Sequence, residues 1–130
     1  MNDVNSSNPN WGDKTILIVE DDKFNAIIIT NFIEKTHANY KIAYSGQNAI
    51  DLASDLNPDV ILMDIKLPDI NGLEVTRKIK EKLPNAIVIA QTAYVSDSDK
   101  QNAFDAGCSD VIFKPIRYDN LIATISKYVK

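Results

Sequence analysis

The feature that most constrains the fold is a run of apolar residues that ends in one acidic residue and a loop. Residues 60–63 are all apolar, Asp64 follows them, and Pro68 lies four positions further along the chain. A short apolar run bounded by a loop signal is typical of a buried strand. Strands buried on both faces belong to parallel sheets covered by helices. Asp64 would then lie at the carboxyl edge of the sheet, where open α/β folds bind ligands.

This stretch alone leaves the role of Asp64 open. A carboxylate that faces water at the sheet edge can act as a metal ligand or as a nucleophile. It can equally do no more than end the strand or begin a turn. The remaining strand ends are therefore needed to decide between the two interpretations.

Four more strands and five helices are predicted from the alternation of apolar runs with helical patterns. The other strands are predicted at Thr15–Val19, 40–44, 86–90 and Asp110–Phe113. The helices are predicted at 23–35, Gly46–Leu56, Gly72–Lys82, from a cap at Ser96 to about Ala106, and at 118–129. Strands that alternate with helices, joined by right-handed crossovers and short loops, predict a doubly wound α/β domain with a parallel sheet.

The length of 130 residues suits a single folded domain. Residues 1–13 are rich in asparagine and serine, so we expect a disordered tail or linker there and a folded domain over residues 14–130. Trp11 is the exception, because a large apolar ring favours packing against the edge of the domain.

Composition excludes several classes of function. No apolar run approaches 18 residues, so no membrane span is predicted. A net charge of −4 argues against nucleic-acid binding. His37 and Cys108 are the only residues of their types, which makes histidine triads, polyhistidine or thiolate metal sites and internal disulfides improbable. Cys108 is expected to be a small buried hydrophobe in a reducing compartment, and His37 a solvated loop residue.

Five polar residues follow the predicted strands and are expected to meet at one edge of the sheet. Glu20 and Asp21 follow the first strand, Asp64 ends the third, Thr92 follows the fourth, and Lys114 follows the last. Three converging carboxylates repel one another, and a hard divalent cation with oxygen ligands such as Mg²⁺ relieves that repulsion. Lys114 and Thr92 would hold an anion with several acceptor oxygens, such as a phosphoryl group. The carboxylate between the metal and the lysine can attack phosphorus and form an acyl phosphate.

These residues stand in a pattern that resembles the receiver domain of response regulators, the CheY-like phosphoacceptor of two-component signalling. The resemblance spans about residues 14–130 and is carried by ILIVEDD at 16–22, LMDIKLP at 62–68 with NG at 71–72, QTA at 91–93, and FKP at 113–115. It implies a five-stranded flavodoxin-like fold with strand order 2-1-3-4-5. It also implies a phosphoacceptor signalling domain rather than an enzyme, located in the bacterial cytoplasm.

The resemblance also implies roles for individual residues. Asp64 would be the phosphorylated aspartate, Asp21 would bind Mg²⁺ directly, and Glu20 would bind it through water. The backbone carbonyl of Lys66 would complete the protein ligands.

Two more residues take roles from the family. Thr92 would swing in to bond the phosphoryl group, and Lys114 would pair with it. The Lys114-Pro115 peptide bond is expected to be cis.

The sequence departs from the family at one position. Receivers often carry tyrosine or phenylalanine three residues before the lysine, and this ring turns inward as the threonine moves. Here that position is Val111, so output through the last strand is expected to differ. Tyr94, two residues after Thr92, is a candidate to cover the site instead. Because Lys66 and Tyr94 are both bulky and flank the path of attacking water, we expect a long-lived acyl phosphate.

The expected partner is a histidine kinase or a histidine phosphotransfer domain. In the first helix, Ile28 and Ile29 are expected on the core side. Phe24 and Ile27 are apolar residues in excess of that stripe, so they are candidates for docking that partner beside the acidic residues. The sparse fourth helix is a candidate dimer face. The sequence NWGDKTILIVEDD at 10–22, together with AQTAY at 90–94, resembles receivers of hybrid sensor histidine kinases. A free-standing regulator is the alternative.

Two other functional classes fit less well. Phosphatases with an aspartate nucleophile place a second acid two residues later to protonate the leaving group, and here that residue is Lys66. A flavodoxin-like nucleotide binder needs a phosphate loop rich in glycine, serine or threonine after the first strand. Here Glu20, Asp21 and Asp22 occupy that loop and would repel phosphate without a metal.

Overall fold

A computed structural model describes residues 8–93 and 96–129, in which strands and helices alternate along the chain. The strands are β1 (Thr15–Val19), β2 (Asn39–Ala43), β3 (Val60–Asp64), β4 (Val88–Thr92) and β5 (Asp110–Phe113). The helices are α1 (Lys23–Glu34), α2 (Gly46–Leu56), α3 (Gly72–Lys82), α4 (Asp97–Ala106) and α5 (Tyr118–Ile125). None of the helices in the described part of the chain has the length and apolar character needed to cross a bilayer.

The strands form one parallel sheet in the order β2-β1-β3-β4-β5, as predicted. Strand β3 lies at its centre, and all five of its residues are buried. In the register between β3 and β4, Asp64 lies opposite Gln91. Because the strands are parallel, their carboxyl ends lie along one edge, which collects the residues that follow each strand.

Two hydrophobic clusters fill the two faces of the sheet, since successive strand residues point to opposite sides. Met63 packs in the cluster that contains Val75 and Ile79 of α3. Leu62, its neighbour in β3, packs in the other cluster with Ile29 of α1 and residues of α5. Each fully buried aliphatic side chain of this kind stabilises the fold by about 1.5–3 kcal/mol. The free thiol of Cys108 is buried, as expected, and burial raises its pKa to about 11.

Strand β4 begins two residues later than predicted, at Val88 rather than at residue 86. The turn that follows Pro84 extends further, because the Ala86 N–H donates to the Leu83 carbonyl at 3.0 Å. The shift brings Gln91 and Thr92 into the strand itself.

Two predicted features of the helices are wrong. Ile28 was expected on the core side of α1, but it is 44% exposed while Ile29 and Ile33 are buried. Helix α5 ends at Ile125 rather than at residue 129, because the Lys127 and Tyr128 N–H groups bond three residues back, at 3.2 and 2.9 Å.

Trp11, which precedes residue 14, packs against the domain as expected. The Trp11 side chain is buried, and the backbone N–H of Trp11 donates to the Thr36 carbonyl at 2.7 Å. The Asn39 side chain also reaches the Gly12 carbonyl at 3.3 Å. An indole in the core outweighs the polar composition around it, since aromatic burial is among the largest single contributions to packing. Of the predicted tail at residues 1–13, residues 1–7 lie outside the described residues.

Candidate functional site

The acidic triplet after β1 divides into three different positions. Glu20 is fully buried, and its N–H donates to Ala43 at 2.9 Å, which extends the ladder beyond β1. Asp21 is exposed. Asp22 caps α1, because its Oδ1 accepts from the Phe24 and Asn25 N–H groups at 2.8 and 3.2 Å. The cap turns the helix away and leaves Glu20 and Asp21 at the sheet edge.

Asp64 ends β3 with only 3% of its surface exposed, and its Oδ1 accepts from the Lys66 N–H at 3.1 Å. The loop that follows is closed at Gly72, whose N–H donates to the Ile65 carbonyl at 2.8 Å. A Cβ atom on Gly72 would lie 2.2 Å from the Asp64 carbonyl oxygen, so only glycine lets α3 begin this close to the acid. The packing of the start of α3 therefore fixes the backbone position of Asp64.

Lys114 joins the carboxylates across the sheet. Its Nζ lies 3.2 Å from Asp64 Oδ1 and 3.4 Å from Glu20 Oε1. Burial acts to lower the pKa of the Lys114 ammonium, but the charges of Asp64 and Glu20 outweigh it and the pKa is raised. The lysine therefore stays charged, and the Lys114-Pro115 bond that follows it is cis, as expected.

The carboxylates of Glu20, Asp21 and Asp64 lie close together, and their surroundings show whether a cation would fit between them. Ligand atoms of Glu20, Asp21 and Asp64 all lie within 4.8 Å of one another. Burial, then the hydrogen bond and charge of Asp64, raise the pKa of Glu20 to about 7. Glu20 Oε1 accepts no hydrogen bond within the described residues, although the Lys114 ammonium lies near it. An all-oxygen cluster with a buried oxygen left over suits a hard divalent cation, which would favour the ionised carboxylates.

Thr92 lies at the carboxyl end of β4, at the same edge as Asp64. A cavity of about 70 Å³ is lined by Asp64, Lys66, Gln91, Thr92 and Lys114 among others. The structure thus brings Glu20, Asp64 and Lys114 into direct contact and places Thr92 and Lys66 around the same cavity. The assignment of Asp64 as phosphoacceptor and of the Lys66 carbonyl as a metal ligand stays a prediction.

Such an arrangement is costly for a fold and useful for chemistry. Buried carboxylates that share one lysine gain little net stability, because desolvation offsets their attraction. A carboxylate held beside a fixed ammonium at the rim of a cavity can attack an electrophile whose added negative charge the ammonium stabilises. The cluster at this edge therefore indicates a functional site rather than a structural ion pair.

Two residues near the site were missed by reasoning from the sequence. Gln91 is fully buried beside the cavity; a polar residue directly after the apolar residues 86–90 was the available signal. The sequence around Asp69, which follows Pro68, indicates only a turn. In the structure its two oxygens accept from the Gly46 and Gln47 N–H groups at 2.8 and 3.0 Å, so it caps α2 from the loop after Asp64.

The Asp69 cap leads to a prediction about stability. Hydrogen bonds from Gly46 and then Gln47 lower the pKa of Asp69 below its ordinary value near 3.8. The cap therefore stabilises the fold fully above that ordinary pKa, and its contribution is lost as the pH falls through the lowered value. We expect Asp69→Ala to lower the melting temperature by a few degrees at pH 7, measured by circular dichroism. The difference from the unaltered protein should shrink in strong acid.

Asp69→Asn is the matched control, because its amide oxygen still accepts a hydrogen bond without carrying a charge. We expect the melting temperature of Asp69→Asn at pH 7 to fall less than that of Asp69→Ala. Equal melting temperatures for Asp69→Ala and the unaltered protein at pH 7 would show that the cap contributes nothing.

One position that bears on output, Val111, differs from the family pattern, and Phe113 lies near it in β5. Val111 is half-buried and packs against the cluster that contains α2 and α3. Phe113 is 49% exposed instead, with the Lys100 ammonium 5.5 Å from the centre of its ring. Tyr94 lies outside the described residues, so its suggested place over the site and the long acyl phosphate lifetime stay predictions.

Comparison with known families supports the same interpretation of the chain. Residues 16–126 match the family model described as the response regulator receiver domain. The polar-differentiation response regulator DivK of Brucella ovis is 40% identical over 118 residues, which is 89% of this chain and 96% of that protein. The attachment to a hybrid kinase stays a prediction.

Solved structures have the same fold. The chemotaxis protein CheY4 of Vibrio cholerae has a TM-score of 0.85 at 19% identity, covering 89% of this chain and 98% of that one, and shows the fold alone. The co-crystal structure of the Saccharomyces cerevisiae histidine phosphotransfer signaling protein Ypd1 and the receiver domain of its downstream response regulator Ssk1 contains a chain with a TM-score of 0.83. That chain is 29% identical, and the match covers 92% of this chain and 89% of that one.

Proposed function

The chain belongs to the response regulator receiver family, and from that premise we propose that it accepts a phosphoryl group on Asp64 and changes conformation to signal. The single observation that carries the proposal is the contact of the buried Asp64 carboxylate with the Lys114 ammonium at 3.2 Å, inside the cluster of three carboxylates. The phosphoryl group comes from a histidine of a kinase or a histidine phosphotransfer domain.

The transfer balances without any further reactant. One carboxylate oxygen of Asp64 attacks phosphorus and forms a new P–O bond, while the P–N bond to the donor histidine breaks. The imidazole leaves with the electron pair of that bond, and Asp64 becomes an acyl phosphate. Lys114 pairs with the transferred group, and Thr92 donates its hydroxyl to a phosphoryl oxygen.

The metal in this proposal is Mg²⁺. Asp21 would bind it directly and Glu20 through water, and Asp64 and the backbone carbonyl of Lys66 would complete the protein ligands. Magnesium bound there would neutralise the charge on the transferring phosphoryl group. The chain assists only its own phosphorylation and dephosphorylation. A separate phosphatase activity is not favoured, because Lys66 stands where such enzymes need an acid.

The proposed function is tested by the mass of the intact protein after incubation with Mg²⁺ and acetyl phosphate. We expect one phosphoryl adduct per chain, which disappears when EDTA replaces Mg²⁺. A protein that gains no adduct from acetyl phosphate or from a phosphorylated donor domain would refute phosphoryl acceptance.

The donor is proposed to dock on the exposed side of α1. Phe24 is 80% exposed and Ile27 is 57% exposed, as predicted, and Ile28 adds a third apolar side chain to this surface. Ile28 also lines a groove of about 320 Å³ that runs to Lys114 and Pro115. An apolar helix face that continues into the phosphoacceptor site suits a helical bundle that presents a histidine, and one structural relative was crystallised with a histidine phosphotransfer protein.

This docking surface leads to a kinetic prediction. Ile27→Asp places a charge in the apolar contact, so we expect phosphotransfer from a protein donor to slow about tenfold or more. Phosphorylation by acetyl phosphate should be unchanged, because a small donor does not touch α1. Rates are measured with a phosphorylated histidine phosphotransfer domain and with acetyl phosphate, side by side.

Ser54→Asp is the matched control, because it introduces the same charge at an exposed position of α2, away from α1. We expect it to leave both rates unchanged. Equal slowing of both donors by Ile27→Asp, or equal slowing of the protein donor by the two variants, would refute docking on α1.

A homodimer through α4 and β5 is a further part of the proposal. Helix α4 buries only Ala103 and Ala106, while Phe104 and the neighbouring Phe113 of β5 are exposed. Multi-angle light scattering of the phosphorylated protein measures its mass in solution, and a monomer at high concentration would contradict the dimer.

A further inference from the structure

Gln91 is a buried polar side chain whose bonding is incomplete. The residue is fully buried in β4, yet neither its Oε1 nor its Nε2 has a hydrogen-bond partner among the residues that the structure describes. Buried polar groups in native proteins almost always have partners, and those that lack them cluster at functional sites. An amide that is left unpaired in this way therefore requires an explanation.

The position of Gln91 places it beside the phosphoacceptor site. In the sheet register Gln91 lies opposite Asp64 of β3 on one side and opposite Ile112 of β5 on the other. Residues directly opposite in a parallel sheet share a face, so Gln91 points to the same side as Asp64. Gln91, Asp64 and Lys114 line the same cavity of about 70 Å³. The unpaired amide thus faces the space in which the acceptor and the lysine meet.

The Lys114 ammonium has more N–H donors than it has carboxylate partners. It carries three N–H groups, and within the described part of the chain its carboxylate partners are Asp64 and Glu20. The amide oxygen of Gln91 is an acceptor without a donor, and the ammonium is a donor group whose third hydrogen has no carboxylate. The cavity also has room for an ordered water between them.

We propose that Gln91 is a positioning residue for Lys114: its amide oxygen accepts a hydrogen bond from the Lys114 ammonium, directly or through one ordered water. This holds the ammonium where it meets the incoming phosphoryl group. The inference rests on the proposed function of Asp64 as the acceptor. Gln91 touches neither the phosphoryl group nor the metal, and it acts only through the lysine.

A pairing that forms fully only during the reaction has opposite consequences for stability and rate. In the resting protein the amide is buried without partners, so an apolar side chain of the same length should not destabilise the fold and can stabilise it. During phosphorylation of such a variant, Lys114 lacks the hydrogen bond to the residue 91 side chain, so the reaction should slow. This trade-off separates a positioning residue from one that merely fills the core.

Gln91→Met is the variant that tests the proposal, because methionine keeps the length of the side chain and removes both polar atoms. We expect the phosphorylation rate at saturating acetyl phosphate to fall about fivefold. The acetyl phosphate concentration at half-maximal rate and the Mg²⁺ affinity, measured by calorimetric titration, should stay unchanged. The melting temperature should be equal or higher. In NMR spectra of the phosphorylated proteins, the ammonium ¹⁵N signal of Lys114 should differ between Gln91→Met and the unaltered protein.

Ile89→Met is the matched control, because Ile89 is a buried residue on the same face of β4, two positions earlier. It should change neither the rate nor the Lys114 signal. A Gln91→Met rate equal to that of the unaltered protein would overturn the proposal, as would an unshifted Lys114 signal. A slower rate with a lowered melting temperature would also overturn it, in favour of a packing role. Failure of the unaltered protein to become phosphorylated would instead refute the proposed function, and this inference with it.

Discussion

Asp64→Asn is expected to remove phosphorylation by acetyl phosphate and by a protein donor alike. The amide is a poor nucleophile and cannot form an acyl phosphate, so the rate should fall at least about a hundredfold. The fold should persist, because asparagine has almost the same shape and its oxygen can still accept from the Lys66 N–H. Phosphate-affinity gels measure the rate, and circular dichroism measures the fold.

Asp69→Asn supplies the control for this change, because it makes the same substitution in the loop that follows Asp64. Asp69 caps α2 and lies outside the carboxylate cluster, so its variant should be phosphorylated at the ordinary rate. Phosphorylation that persists in Asp64→Asn would show that another carboxylate is the acceptor, with Asp21 the first candidate because it is exposed in the same cluster.

Gly72→Ala is expected to have the largest effect on stability. The added Cβ would lie 2.2 Å from the Asp64 carbonyl oxygen and 2.7 Å from Ile65 Cα, and both are backbone atoms that no side-chain rotation can move away. Relief requires a shift of the start of α3 or of the loop, at a cost of about 3 kcal/mol. Thermal unfolding measures the loss, and phosphorylation at a temperature where the variant is folded measures the displacement of Asp64.

Gly12→Ala is the appropriate comparison. Its added Cβ would meet only the Asn10 side chain, at 3.3 Å, which a side-chain adjustment can relieve. We expect the melting temperature of Gly12→Ala to stay near that of the unaltered protein. If the two alanine variants unfold at the same temperature, the close approach at Gly72 does not constrain the site.

Much of the fold could be predicted because local signals and burial agreed. Strand β3 is an apolar run of the right length, and it is buried throughout. Ser45 caps α2, and Ser96 forms a capping box with Asp99 at α4. Once the alternation of strands and helices was known, the parallel sheet followed, and with it the meeting of Asp64 and Lys114 at one edge.

The remaining features depend on tertiary contacts that no local pattern encodes. In the Asp69 cap, acceptor and donors are 22 and 23 positions apart in the sequence, so no local pattern near Gly46 predicts it. The place of Gln91 beside the cavity depends on the register of β4, and β4 was predicted two residues too early. Ile28 lies next to Ile29 in a helix that is apolar on more than one side, so periodicity alone could not decide which of the two faces the core.

The most direct test of Asp64 as the acceptor is to map the phosphoryl group on the chain. The protein is incubated with Mg²⁺ and acetyl phosphate, and borohydride then reduces the acyl phosphate to an alcohol that survives digestion. Trypsin should release residues 42–66 as one peptide, because no lysine or arginine lies between its ends. We expect the reduced residue in that peptide at Asp64, and only when Mg²⁺ was present. A reduced residue at any other position, or none in a protein that carries the adduct, would contradict the assignment.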